Sequence, residues 1–197
     1  HRDLHSFPTR RSSDLVFDGA DAVMLSAESA VGQFPTEAIQ MMDRIAIQVE
    51  NDPNYASLVH ATRTMPQPTA HDAIAAAAHA IADTVKLAAI VCFTATGSTA
   101  LRVARERPGL PVIGLTPVHA TAQRLAVVWG IHSILTSDPE KLSDMVRKAC
   151  KLAFEHGVVK AGEGILITAG VPLGSPGTTN MIRIAYVDDA GNPVGGG

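Results

Sequence analysis

Apolar residues gather along this chain in two ways, as short unbroken runs and as stripes that recur every third or fourth residue. The first run, Ala22-Val23-Met24-Leu25, reads as a buried strand that stops at a polar, small-residue loop, Ser26 to Gly32. Pro35, Thr36 and Glu37 then open a helix over 35–50, whose Ala38, Met42, Ile45 and Val49 form one stripe. Asn51-Asp52-Pro53-Asn54 stops that helix, because proline cannot continue the ladder and Asn and Asp favour turns. Residues 51–70, with three prolines at 53, 66 and 68, read as a linker.

A regular alternation follows. Helices are predicted over 71–86, 98–107, 119–129 and 138–156, the last with Leu142, Met145, Ala149 and Leu152 on one side. Between them lie apolar runs over 87–93, 111–116, 131–136 and 164–169, and a fifth over 181–187. Strands that are apolar almost throughout and separated by helices imply a parallel sheet covered on both faces. The fifth strand follows the fourth with no helix between and is expected antiparallel at an edge. The reading is therefore α/β: a mostly parallel five-stranded sheet with helices on both faces and an antiparallel edge strand, over 71–187. One orphan βα unit over 16–50 precedes it, and a polar, frayed tail over 188–197 follows.

Residues 1–15 fit neither periodicity and lack the apolar stretch of a signal peptide. They look like translated adapter sequence, so native sequence is expected from about Val16, with the natural protein continuing upstream.

Composition removes whole classes of function. The 16 Lys and Arg are scattered and outnumbered by 19 Asp and Glu, which argues against a nucleic-acid surface. No apolar run approaches the ~20 residues needed to span a membrane. Cys92 and Cys150 read as reduced packing thiols of a cytoplasmic protein. The eight His show no ligand spacing with Cys or with one another, so no metal site is expected.

Three constellations carry candidate chemistry. Ser26 and Glu28 follow the first strand, where α/β barrels keep reactive groups, although the residues by themselves favour a loop cap and a solvated or turn-stabilising carboxylate. Thr94, Thr96, Gly97, Ser98 and Thr99 sit between a strand and a helix. Hydroxyls, a flexible glycine and free helix-start amides make a cradle for phosphate, although Ser98 or Thr96 could simply cap the helix. The loop is neither a P-loop nor a dinucleotide fingerprint. The third is the loop over 170–180, including Gly174, Ser175, Pro176 and Gly177, which is long for a mere turn between edge strands. The Ala-rich helix over 72–86 suits close packing on the sheet and could also border a subunit interface.

The stretch Met24-Leu25-Ser26-Ala27-Glu28-Ser29-Ala30-Val31-Gly32-Gln33-Phe34-Pro35 closely resembles the last barrel strand and following helix of pyruvate kinases. Their signature there runs Met-Leu-Ser-(Gly/Ala)-Glu-(Thr/Ser)-Ala-x-Gly-x-(Tyr/Phe)-Pro. The later block resembles the C-terminal α/β domain of the same family, so the likeness covers roughly residues 16–187. It implies a C-terminal piece of a glycolytic phosphotransferase that moves the phosphoryl group of phosphoenolpyruvate to ADP, giving pyruvate and ATP, with Mg²⁺ and K⁺. It implies that Ser26, and with it Glu28, lines the catalytic pocket. It also implies that Thr94, Thr96, Gly97, Ser98 and Thr99 hold an effector phosphate and that Gly174 to Gly177 form the effector loop. The cationic and metal-holding groups that phosphoryl transfer requires belong to earlier strands in that family, so this piece alone is expected inactive. The effector loop carries no Arg, Lys or Trp, which argues against a bisphosphate and for a sugar monophosphate or nucleotide, or for no effector. A cytoplasmic homotetramer is the expected assembly. The rival reading is a non-catalytic α/β module that binds a phosphorylated metabolite.

Overall fold

The computed structural model describes residues 12–62, 65–173 and 178–194. The chain divides into two compact units, residues 1–63 and 64–197.

Four helices make up the described part of the first unit: α1 (Ser12–Phe17), α2 (Ala27–Ala30), α3 (Pro35–Glu50) and α4 (Tyr55–Thr62). Proline at the first position and Glu37 in the first turn suit the start of α3, where amides lack partners and the dipole favours an acid. Its predicted stripe is the inward side: Val49 is buried and Ala38, Met42 and Ile45 are partly covered. Val16, Val49, Tyr55 and Val59 form a small core, with Phe17, Val23, Ile45 and Ala46 against it. The Phe17 and Tyr55 rings tilt at 51° with centroids 6.2 Å apart.

Three expectations fail in this unit. Residues 22–25 are not a strand; they run as irregular chain, with Met24 86% exposed. A strand needs a neighbour's amides and carbonyls, and the described residues of this unit offer none. Residues 12–15, read as structureless, belong to α1. The 51–70 segment holds α4, which starts after Asp52 accepts the Asn54 amide at 2.8 Å and closes the turn left by Pro53.

The second unit runs α5 (Ala70–Val85), β1 (Ala89–Phe93), α6 (Ser98–Arg105), β2 (Val112–Thr116), α7 (His119–Leu125), β3 (Ile131–Leu135), α8 (Leu142–Glu155), β4 (Gly164–Ala169), β5 (Met181–Val187) and β6 (Pro193–Val194). The sheet order is β3-β2-β1-β4-β5-β6. Strands β1 to β4 pair in parallel, with Cys92 opposite Gly114 on one side and Thr168 on the other. As expected, β5 pairs antiparallel to β4. It is not the edge, however. The tail expected to fray turns back: Asp188 accepts the amides of Ala190 and Asn192 at 2.9 and 2.7 Å, and β6 then adds a sixth, antiparallel strand.

Alternate residues of the strands feed two apolar layers. On one side Val91, Ile113, Leu115, Ile165 and Ile167 meet Met145, Val146, Ala149, Cys150 and Ala153 of α8. On the other Ile90, Cys92, Val112 and Leu166 meet Ala75, Ala78 and Ala82 of α5, Val103 of α6 and Leu125 of α7. The alanines let α5 lie close over the sheet, so the Ala-rich pattern has its packing role. Both thiols are fully buried. Burial raises the Cys92 thiol, and burial followed by the Asp188 charge pushes Cys150 up to about 11, so neither is poised to react.

Candidate functional site

The order of strands reverses direction between β1 and β4, and crevices outside the carboxyl ends of parallel strands at such a point are where open α/β sheets take ligands. The loop over 94–99 leaves β1 there. Thr94 continues the ladder by donating its amide to Leu115 O at 2.9 Å, and its Oγ1 accepts the Gly97 amide at 2.9 Å. Gly97 stands at φ +89°, a left-handed turn that glycine takes without penalty, and so aims the chain into α6. It fills the cap position of α6 with no side chain, so neither Ser98 nor Thr96 is the cap residue. Instead Thr96 Oγ1 donates to Ser98 Oγ at 3.1 Å, and the Ser98 amide leans on Thr96 Oγ1 at 3.4 Å.

The four predicted hydroxyls therefore divide. Those of Thr94 and Thr99 are buried and spent on structure, whereas Thr96 is exposed and Ser98 half-buried. The Thr99 hydroxyl lies 2.7 Å from that of Thr179, so the helix start is tied to the far end of the loop over 170–180. Gly174, Ser175, Pro176 and Gly177 lie outside the described residues. Asn180 ties the two ends of the loop over 170–180 together. Asn180 accepts the Val171 amide at 2.8 Å and donates to Val171 O at 2.6 Å. A side chain on Gly170 would collide with Thr178, its Cβ falling 1.7 Å from the carbonyl oxygen, so only glycine fits.

Three neighbours were not legible from spacing. Arg124, on α7, reaches the loop: its guanidinium donates to Thr96 O at 3.4 Å and to Thr121 Oγ1 at 3.1 Å, while Thr121 donates to Ala95 O at 2.9 Å. Only the parallel pairing of β1 with β2 brings it there. His71 Nδ1 accepts the Thr179 amide at 3.0 Å across 108 positions of sequence. Asp72, almost fully buried, accepts Arg102 Nε at 3.0 Å and Arg105 Nη2 at 2.8 Å, fastening α5 to α6. The Gln67 amide, then Arg105, holds its carboxyl below the usual range, and the same ion pair raises Arg105.

Ser26 and Glu28 lie together at the start of α2, both exposed. Glu28 Oε2 accepts the Ser26 amide at 3.1 Å, and Ser26 O accepts the Ser29 hydroxyl at 3.4 Å. Hydrogen bonds from its own amide and then from that of Ser26 hold the Glu28 carboxyl below the ordinary range. The Ser26 side chain itself makes no capping bond. Among the described residues no group of three or more His, Cys, Asp or Glu converges to hold a metal ion, and no helix is long and apolar enough to cross a membrane.

Fold and loops define a mostly parallel α/β module whose helix-starting loop opens at the switch point of the sheet. The family model for the pyruvate kinase alpha/beta domain matches residues 72–185. The chain belongs to the pyruvate kinase family. Pyruvate kinase of Methylorubrum extorquens is 53% identical over 184 residues, which cover 91% of this chain and 38% of that protein. The pyruvate kinases of Agrobacterium vitis and Sporosarcina psychrophila are 39% and 37% identical, over 90% and 92% of this chain and 38% and 32% of theirs. The chain thus spans less than two fifths of the length of these relatives.

Proposed function

We propose that this chain is the regulatory and assembling portion of a pyruvate kinase, with the loop over 94–99 as its receptor for the phosphate of a phosphorylated metabolite. The observation that carries this reading is the division of hydroxyls. Thr94 and Thr99 hold the loop's shape from within, leaving Thr96 exposed and Ser98 half-buried where α6 begins, with Arg124 reaching the same loop. Amides at a helix start, hydroxyls and a guanidinium are the donors that an anion recruits. The lack of Arg, Lys and Trp between Gly170 and Asn180 favours one phosphate over two, hence a sugar monophosphate or a nucleoside monophosphate.

The whole enzyme would transfer the phosphoryl group of phosphoenolpyruvate to ADP in the cytoplasm, as a homotetramer, with Mg²⁺ and K⁺. The donor set for those ions is not found among the described residues, so they would be held by other parts of the enzyme and no step is routed through this chain's own groups. Ser26 would form part of the wall of the catalytic pocket, with Glu28 fixing the turn that presents it.

The test is thermal denaturation of the full chain with glucose 6-phosphate, ribose 5-phosphate, AMP and fructose 1,6-bisphosphate in turn. A monophosphate is expected to raise the midpoint. Gly97→Asp and Ser98→Asp, which set a carboxylate against the anion, should abolish the rise; Ser98→Asp keeps the test valid should the left-handed turn refuse aspartate. No rise with any probe, or a rise that survives in both variants, would overturn the assignment.

A further inference from the structure

His132 and His156 stand side by side on the surface of the second unit although 24 positions separate them. His132 is the second residue of β3, the strand at one edge of the sheet, and His156 is the residue on which α8 ends. Nε2 of His132 lies 3.4 Å from Nδ1 of His156, with ring centroids 5.4 Å apart and planes at 63°. Both side chains are exposed. As a hydrogen bond that separation is long and weak. It does match the bite of a metal ion. Two Zn–N bonds of about 2.0–2.1 Å at a tetrahedral angle hold their nitrogens about 3.3–3.4 Å apart.

We propose that His132 and His156 form a chelating pair for a divalent transition-metal ion, Zn²⁺ fitting best, with water completing its coordination. Imidazole suits Zn²⁺, Cu²⁺ and Ni²⁺, whereas Mg²⁺ prefers oxygen. With Nε2 of His132 and Nδ1 of His156 on the metal, the remaining ring nitrogens keep their protons and find no protein acceptor among the described residues. No outer hydrogen bond stiffens the ligands, so the ion should exchange readily. Its structural effect follows from the places it joins. Among the described residues strand β3 has a partner on one side only, and a bound ion would staple it to the end of α8.

The experiment is calorimetric titration of Zn²⁺ into the full chain in a non-coordinating buffer at about pH 7.5, with Co²⁺ absorption as a spectroscopic check. One ion per pair is expected above any background from the other histidines. His132→Ala and His156→Ala should each weaken that site by at least about tenfold, and the double variant no further, while His119→Ala, exposed elsewhere, leaves it intact. Zn²⁺ should raise the thermal midpoint of the parent chain and of H119A, not of H132A or H156A. Mg²⁺ should give no signal. Equal uptake by the parent and the double variant, or loss on removing only one of the two histidines, would overturn the chelate.

Discussion

Asp72 shows how one buried charge organises a helix pair. Its carboxylate has three donors, the Gln67 amide and the guanidiniums of Arg102 and Arg105, while its own amide donates to Thr69 Oγ1 at 3.3 Å to start α5. Removing it takes one partner from each of two guanidinium side chains that are about one third exposed, leaving Arg105 with Glu106 at 3.5 Å and Arg102 with Ser98 O at 3.4 Å. Water screens part of that loss, so Asp72→Ala is expected to cost about 2 kcal/mol in urea denaturation, less than a wholly buried pair would. The pH dependence has a definite sign. A carboxyl held low in the folded state contributes stability that is fully present above its unfolded value, about 3.9, and is lost as pH falls through the lower folded value. Asp72→Asn should remove that part of the acid limb while leaving the curve near neutrality flat. Parallel acid limbs in parent and variant would refute it.

Among the elements, the sheet's centre and its margin differ sharply. Ile167, on β4 between β1 and β5, is wholly buried, whereas Leu135 at the end of β3 is 54% exposed. Ile167→Ala is expected to cost about 3 kcal/mol by denaturant melt, and Leu135→Ala under about 1 kcal/mol. The same contrast explains what spacing could reveal. Unbroken apolar runs at 164–169 and 181–187 and the stripe at 35–50 are signals of burial, and those elements lie where the sequence put them. Strand β6, two residues long, has no apolar run; it exists because Asp188 turns the chain back onto β5. Residues 22–25 have the run but no partner strand. For the site, the hydroxyl-rich loop was visible as composition, while Arg124, His71 and the His132–His156 pair were not. Each is brought in by parallel pairing or by a helix end from a distant stretch, and local periodicity carries no information about that.

For the molecule as a whole, the share of its relatives that the chain spans sets the prediction. Residues aligned with the Methylorubrum extorquens enzyme cover 38% of it, and phosphoryl transfer needs cations and metal to neutralise the moving group. The purified chain, given phosphoenolpyruvate, ADP, Mg²⁺ and K⁺, is expected to form no ATP in a coupled assay; turnover that survives re-purification would contradict this. Among its described residues the first unit has a core of four buried apolar side chains, while Val31 is 85% and Phe34 66% exposed. The second carries two apolar layers, one on each face of its sheet.

The clasp that Asn180 makes on Val171 has a consequence for how such a domain can change. Because one amide side chain closes the neck between β4 and β5, whatever is spliced between those two residues inherits a sealed attachment point. New segments of different length or charge can then be tried there while the strands beneath stay in register, making this spot a natural cassette for insertion.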